Sequence, residues 1–156
     1  MSISLTYRTL VLLAAGGSLA LMLGAWGFQY IGDMPPCNLC YWQRYPHYTA
    51  MGIGALALLF GGALLALLGA LSALTTAGIA AYHTGVERGW WQGPSSCTAA
   101  DTSNLNSDQL FDQIMAAPLI RCDEVPWDMF GLSMASWNML ASLALAAIWI
   151  IAARRA

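Results

Sequence analysis

A long run without a charged residue extends from residue 46 to residue 82 and reads PHYTAMGIGALALLFGGALLALLGALSALTTAGIAAY. As one α-helix its 37 residues would be about 55 Å long, well beyond the roughly 30 Å hydrocarbon core of a bilayer. The run therefore predicts two membrane crossings joined by a tight turn. The paired glycines Gly61 and Gly62 are the best local helix breakers, and a turn at 69–72 is the alternative that the sequence leaves open.

Two further apolar runs, 9–31 and 134–153, are each long enough for one crossing. We therefore predict an all-α membrane protein in a single domain, 1–156. It would be a four-transmembrane-helix bundle with a long outer loop, with helices at about 9–31, 44–61, 63–83 and 134–153 and the loop at about 85–133. A secretory signal peptide starting at Arg8 is the alternative for the first run, but its removal would leave an odd number of crossings.

The composition supports the membrane class. Hydrophobic residues make up 58% of the 156 residues and charged residues only 9%, against roughly 25% charged in ordinary soluble domains. Lysine is absent, so all six basic side chains are arginine. So few charges could not solvate the whole surface, and lipid must cover much of it. The net charge of −2 excludes the basic clusters by which proteins bind nucleic acid.

The arginines predict the orientation of the bundle, because short cytoplasmic segments are enriched in basic residues. Arg8 precedes the first span, and Arg154 and Arg155 follow the last one. We therefore expect both termini to be cytoplasmic. The opposite face would carry the other three arginines and all eight acidic residues of the chain, namely Asp33, Glu87, Asp101, Asp108, Asp112, Asp123, Glu124 and Asp128.

The long outer loop contains the pattern of a short amphipathic helix. Asn106 and Gln109 have the spacing of a helix-capping pair. The apolar residues that follow fall on one side of a helix, and they are Leu110, Phe111, Ile114 and Met115. Two interpretations stay open, that this helix lies on the membrane surface or that it covers the outer end of the bundle.

Four cysteines lie in the two outer segments and none lies in a predicted span: Cys37, Cys40, Cys97 and Cys122. An even number of cysteines on a non-cytoplasmic face indicates disulfides. Static structural bridges are one interpretation. However, Cys37 and Cys40 are separated by only two residues, and such a pair has a low thiol pKa and exchanges readily. The spacing favours electron transfer.

The residues around this pair favour a thiolate. Pro35 and Pro36 cannot continue the first span, and they place both cysteines at the start of the next helix. A helix N-terminus stabilises a thiolate. Arg44 lies one helical turn after Cys40, so its cation could stabilise that sulfur. We therefore predict Cys40 as the reactive thiolate, with an interfacial arginine without a redox role as the alternative for Arg44.

A zinc site is the other chemistry that four cysteines allow, with His83 as a further ligand. Structural zinc sites commonly use two close cysteine pairs, whereas Cys97 and Cys122 are 25 residues apart. An oxidising compartment also disfavours free thiolate ligands. We therefore expect no bound metal.

Taken together, the order and spacing of several motifs over the whole chain resemble the bacterial disulfide bond formation protein B (DsbB) family of quinone-dependent thiol oxidases. The motifs are Pro36-Cys37-Asn38-Leu39-Cys40 with Gln43-Arg44, Tyr82-His83-Thr84-Gly85-Val86-Glu87 with Trp91, Pro94 and Cys97, Cys122-Asp123-Glu124-Val125-Pro126-Trp127, Phe130-Gly131-Leu132-Ser133-Met134 and Trp137-Asn138. Each motif alone is a weak signal, and the specificity lies in their succession.

The resemblance implies a four-helix protein of the bacterial inner membrane with its cysteines on the periplasmic side. Such a protein reoxidises a periplasmic thioredoxin-fold dithiol oxidase of the DsbA type and passes the electrons to ubiquinone or menaquinone. The expected partners are this oxidase, the quinone and the lipid bilayer.

By position, the resemblance also implies roles for the cysteines. Cys97 and Cys122 match the loop disulfide that the partner attacks, and Cys97 would form the mixed disulfide. Cys37 matches the thiol that exchanges with the loop pair, and Cys40 matches the thiol that faces the quinone ring.

Three further residues follow from the same comparison of motifs. Arg44 matches the quinone-site arginine of the family. His83 is a second candidate for quinone binding, with a polar cap at the end of the third span as its alternative. Gln43 occupies a position that is acidic in some members, so the tuning of the thiolate is expected to differ here.

Two other functions fit parts of the pattern. A protein similar to vitamin K epoxide reductase also combines a Cys-x-x-Cys pair with loop cysteines in a helical bundle, but it carries that pair late in the chain. A small tetraspan scaffold with four cysteines in static bridges is the non-enzymatic alternative.

Overall fold

The computed structural model describes residues 6–98, 106–116 and 120–156. Within these ranges the chain forms five α-helices and one two-stranded antiparallel hairpin. The elements are α1 (Tyr7–Tyr30), α2 (Asn38–Phe60), α3 (Ala63–Glu87), α4 (Ser107–Ala116), β1 (Asp128–Met129), β2 (Leu132–Ser133) and α5 (Met134–Ala153).

The four long helices pack side by side. Helix α3 packs against both α5 and α2, and α1 packs against α2 and α5. Among the described residues, α1, α3 and α5 are long and apolar enough to cross a membrane. Helix α2 is more polar because it carries Gln43, Arg44 and His47 in its first half, and all three are buried. The described part of the chain is therefore mostly helical and has apolar helices long enough to cross a membrane, as the sequence predicts.

The ends of the long helices follow local rules of capping. Ser133 Oγ accepts from the amide of Ser136 at the start of α5, and Cys37 Sγ accepts from the amide of Cys40 at the start of α2. Helices α2 and α3 are separated at Gly61 and Gly62, the paired glycines of the uncharged run. Their φ angles are +72° and +101°, a region that side chains with a Cβ rarely adopt.

The apolar core at the Gly61 end of the bundle is built around Trp149 of α5, which is fully buried. Its ring lies directly against Gly69 of α3, where a Cβ would approach within 2.6 Å of the indole. Gly54 of α2 also faces this ring, 3.8 Å away from the position of a Cβ. Small residues on α2 and α3 thus let one large side chain fill the space between helices.

The hairpin connects the long loop to α5. Asp128 pairs with Ser133 and Met129 with Leu132, and the turn between the strands contains Phe130 and Gly131, both with positive φ. Arg88, at the end of α3, donates to the carbonyl of Gly131 at 3.3 Å. The hairpin is therefore held against the end of α3 that also carries His83 and Glu87.

Helix α4 lies where the sequence predicts a short amphipathic helix. Phe111, Ile114 and Met115 are all exposed. The side chains of Gln109 and Leu110 lie outside what the structure describes.

The packing of Trp149 predicts different effects for two glycines of the same helix. Gly69→Ala would force the indole to move and should lower the free energy of unfolding by about 1–3 kcal/mol. Gly78→Ala is the matched control, because nothing lies within 4 Å of a Cβ at that position. Thermal unfolding of the detergent-solubilised protein measures both, and equal melting temperatures for the two variants would contradict the packing described for Trp149.

Candidate redox site

Cys37 is the N-cap residue of α2, immediately after Pro35 and Pro36. It is buried, whereas Cys40, one turn into the helix, is partly exposed. Both are free thiols, and their Sγ atoms lie 2.9 Å apart. Two thiols this close titrate as a coupled pair, so one proton is lost far more readily than the other.

The other two cysteines form a disulfide. Cys97 and Cys122 are joined across 25 residues, and the amide of Cys122 donates to the carbonyl of Cys97. Both are buried, with exposed fractions of 1% and 0%, and they pack with Leu39 of α2. The Cys122 sulfur lies within 4.8 Å of Cys37 Sγ. A dithiol and a disulfide therefore meet in one buried cluster.

His83 of α3 lies at the centre of this cluster. Its Nε2 is 3.7 Å from Cys37 Sγ and 3.2 Å from the carbonyl oxygen of Cys122. Its Nδ1 is 2.9 Å from Nε2 of Gln43. The sequence left open whether His83 is a site residue or a polar cap, and the structure places it among the sulfurs.

The contacts of Cys37 favour its thiolate form. The hydrogen bond with Cys40 lowers the pKa of Cys37 to about 4, with a further contribution from His83, against an opposing effect of burial. The assignment of Cys40 as the reactive thiolate, made from the helix start, stays a prediction. Cys37, as the N-cap residue, accepts from the amide of Cys40 and is the sulfur that faces His83.

Arg44 makes contacts that the sequence did not predict. It follows Cys40 by one turn, but its guanidinium donates to Oε1 of Gln29 in α1 at 2.7 Å and lies over the ring of Tyr41. It is nevertheless buried and lines the same cavity as Cys40. A guanidinium has five N–H donors, so Arg44 keeps donors for a further acceptor.

An apolar cavity of about 630 Å³ opens beside the cysteine pair, between the four long helices and the loop. Most of its wall is apolar, and its polar groups are few. Its lining includes Phe28, Pro35, Val125, Trp127, Met134 and Trp137, together with Cys37, Cys40, Arg44 and His83. A cavity of this volume with a few converging polar groups is typical of a site for a small apolar ligand.

Glu87 is a site residue that the sequence did not identify as one. Its carboxylate is buried, accepts a hydrogen bond from Ser133 Oγ and lies 3.8 Å from His83 Nε2. It also lines the cavity. The spacing of four residues from His83 on one helix was the signal that could have found it.

Cys37, His83 and Cys122 each place one potential metal ligand within 4.8 Å of the others. The Cys122 sulfur is bonded to Cys97 in this state, which leaves one thiol and one imidazole of the three. A metal site would require that disulfide to be reduced.

Comparison with known proteins agrees with this chemistry. The family model described as disulfide bond formation protein DsbB matches residues 7–152. No solved structure matches the chain.

Curated relatives extend over most of the chain. Disulfide bond formation protein B of Hahella chejuensis (strain KCTC 2396) is 29% identical over 95% of this chain and 94% of its own length. Its namesake from Actinobacillus pleuropneumoniae serotype 5b (strain L20) is 28% identical over 92% and 84%. An uncharacterized protein of Rickettsia prowazekii (strain Madrid E) is 24% identical over 89% and 83%. Because the family model covers nearly the whole chain, this protein belongs to the DsbB family of disulfide bond formation proteins.

Proposed function

We propose that this protein reoxidises a periplasmic thioredoxin-fold dithiol oxidase of the DsbA type and transfers the electrons to ubiquinone or menaquinone. The observation that carries the proposal is the approach of Cys37 Sγ to the sulfur of Cys122, within 4.8 Å, beside an apolar cavity. Thiol–disulfide exchange requires a thiolate to attack a disulfide sulfur, and this arrangement brings both together.

The exchange proceeds in steps that balance electrons. A thiolate of the partner attacks Cys97 and releases Cys122 as a thiolate. Cys122 attacks Cys37 in an oxidised Cys37–Cys40 pair, and Cys40 leaves as a thiolate. The partner's second thiol then closes the partner's disulfide and releases Cys97, which re-forms the bond to Cys122 and releases Cys37. The result is an oxidised partner and a reduced Cys37–Cys40 pair, the state in which the structure holds the four cysteines.

The cavity supports a quinone as the electron acceptor. Its apolar wall suits a lipid-soluble ring, and Cys40 lies on that wall together with Arg44. A bound quinone would supply the acceptor for two electrons and two protons. Arg44 would hold a ring oxygen with its spare donors, while the buried surroundings exclude water from the sulfurs. The low pKa of Cys37 stabilises the reduced pair, which makes the pair a stronger oxidant towards the loop.

We further propose that α2 is the fourth membrane crossing. Its polar residues face the site rather than lipid, since Gln43, Arg44 and His47 are all buried. Four crossings leave both termini on the cytoplasmic side, next to Arg154 and Arg155, and place the cysteines at the periplasmic face. The exposed apolar side chains of α4, Phe111 among them, would then rest on the membrane surface.

Serine substitutions separate the exchange with the partner from the reduction of the quinone. With reduced partner and a soluble quinone, Cys40→Ser and Cys97→Ser should both reduce quinone consumption, followed by absorbance, to background. With dithiothreitol in place of the partner, Cys97→Ser should regain turnover because Cys37 and Cys40 are intact, and Cys40→Ser should not. Full turnover of Cys40→Ser with either donor would contradict the proposed function.

The low pKa of Cys37 predicts how the alkylation of this thiol depends on pH. Its folded pKa, about 4, is below that of an unfolded thiol, about 8.5. The thiolate therefore stabilises the reduced protein fully above pH 8.5, and this contribution is lost as the pH falls through 4. Mass spectrometry can measure the rate at which Cys37 is alkylated in the reduced protein. This rate should be nearly constant between about pH 6 and 8. An alkylation rate that rises with a midpoint near pH 8.5 would contradict a low pKa for Cys37.

We expect Glu87 to take part in proton transfer during reduction of the quinone. Quinol formation takes up two protons, but the reduced pair retains only one, and Glu87 is a buried carboxylate of the cavity near His83. Glu87→Gln should lower quinone turnover by about a hundredfold, the size of a typical acid–base contribution. Glu124→Gln is the matched control, since that cavity residue is mostly exposed. Equal turnover of both variants would show that Glu87 has no part in proton transfer.

A further inference from the structure

A chain of buried polar side chains leads from His83 into the interior of the bundle, away from the sulfurs. His83 Nδ1 contacts Gln43 Nε2 at 2.9 Å, and Gln43 Oε1 contacts Asn138 Nδ2 at 2.8 Å. Asn138 Oδ1 in turn contacts His47 Nε2 at 3.0 Å. The chain links α2, α3 and α5. Asn138 also lines the cavity, whereas His47 does not.

The direction of these hydrogen bonds follows from a backbone carbonyl at one end. The hydroxyl of Thr76 has one hydrogen, and it donates this hydrogen to the carbonyl oxygen of Gln43 at 2.9 Å. Towards Asn138, Thr76 can therefore only accept. The Asn138 atom that lies 3.3 Å from Thr76 Oγ1 must be the amide nitrogen, and its second hydrogen goes to Gln43 Oε1.

A second carbonyl confirms the orientation of Gln43. With its oxygen towards Asn138, the amide nitrogen of Gln43 donates to the carbonyl of Leu39 at 3.1 Å and faces His83 Nδ1. Because that nitrogen can only donate, His83 Nδ1 must accept and carries no hydrogen. A neutral imidazole has one N–H, which must then be on Nε2.

The Nε2 proton of His83 lies on the side of the sulfurs. Cys37 Sγ is 3.7 Å from Nε2, the carbonyl of Cys122 is 3.2 Å away, and Glu87 Oε1 is 3.8 Å away. Cys40 faces Cys37 from the other side, 2.9 Å away. Each of these groups can accept from an N–H, and Cys37 gains a hydrogen-bond donor for its negative charge.

We propose that Asn138 is a positioning residue that, through Gln43, holds His83 in the tautomer with its proton on Nε2, so that this proton faces the Cys37 sulfur and the carbonyl of Cys122. The inference deepens the proposed function, since it concerns the same redox site. The same relay fixes the tautomer of His47: Asn138 Oδ1 requires His47 to donate from Nε2, so His47 Nδ1, which has no hydrogen-bond partner among the described residues, carries no hydrogen.

Nitrogen-15 NMR of the histidines in the reduced, full-length protein in detergent micelles tests this directly. The chain has two histidines, and His47→Gln assigns the signals while keeping a donor to Asn138. We expect His83 in wild type to show a protonated Nε2 and an unprotonated Nδ1 near neutral pH. A protonated Nδ1 in wild type would overturn the proposal without any variant.

Substitutions test the role of Asn138. Asn138→Ala removes the donor to Gln43 Oε1 and leaves the carbonyl of Leu39 as the remaining contact that orients the Gln43 amide. A second His83 tautomer should therefore appear beside the first, and the midpoint for alkylation of Cys37 should rise by up to about one pH unit. Ser142→Ala is the matched control, because Ser142 also contacts Asn138 Oδ1 but does not orient Gln43. An unchanged tautomer and an unchanged midpoint in Asn138→Ala would contradict the proposal.

Gln43→Glu gives an independent result should Asn138→Ala not fold. A carboxylate at this position can only accept, so His83 Nδ1 should become protonated, and an unprotonated Nδ1 would contradict the relay. Neither readout needs quinone or partner. If the proposed function fails, the protein lacks oxidase activity but can still show the Nε2 tautomer. If the tautomer proposal fails, the protein can still be an active oxidase. The two failures can therefore be told apart.

Discussion

The site depends on one constraint, that a negatively charged sulfur must be kept inside an apolar protein next to the disulfide with which it exchanges. An isolated buried charge is costly, so Cys37 needs donors on several sides. Cys40, the start of α2 and His83 provide them. Since these groups come from α2 and α3, and Cys122 comes from the loop, the thiolate ties together segments that are far apart in the chain.

The same constraint explains the polar residues inside the bundle. Gln43, Asn138 and Thr76 would each be unfavourable alone in an apolar interior, but together they satisfy one another. The loop disulfide is enclosed as well, with Cys97 only 1% exposed. In the proposed reaction, the partner could therefore reach Cys97 only after the loop moves.

Much of the architecture could be predicted from the sequence because it depends on local chemistry. The uncharged run with Gly61 and Gly62 indicates two helices and the position of the break, and the two prolines place Cys37 at a helix start. Contacts between distant residues could not be predicted in this way. The approach of His83 to Cys37 depends on how α2 and α3 pack, and Arg44 contacts Gln29 because α1 presents an amide oxygen within its reach. The spacing of residues along the sequence does not show which side chains of different helices will meet.

The central claim is that electrons pass between the loop disulfide and the Cys37–Cys40 pair through Cys37 and Cys122. The double variant Cys40→Ser, Cys97→Ser leaves only these two thiols in the chain. Mild oxidation followed by peptide mass spectrometry should recover a Cys37–Cys122 disulfide in nearly all of the folded protein, because the two sulfurs lie within 4.8 Å. Two free thiols after oxidation, in a protein that keeps its helical content, would contradict the account.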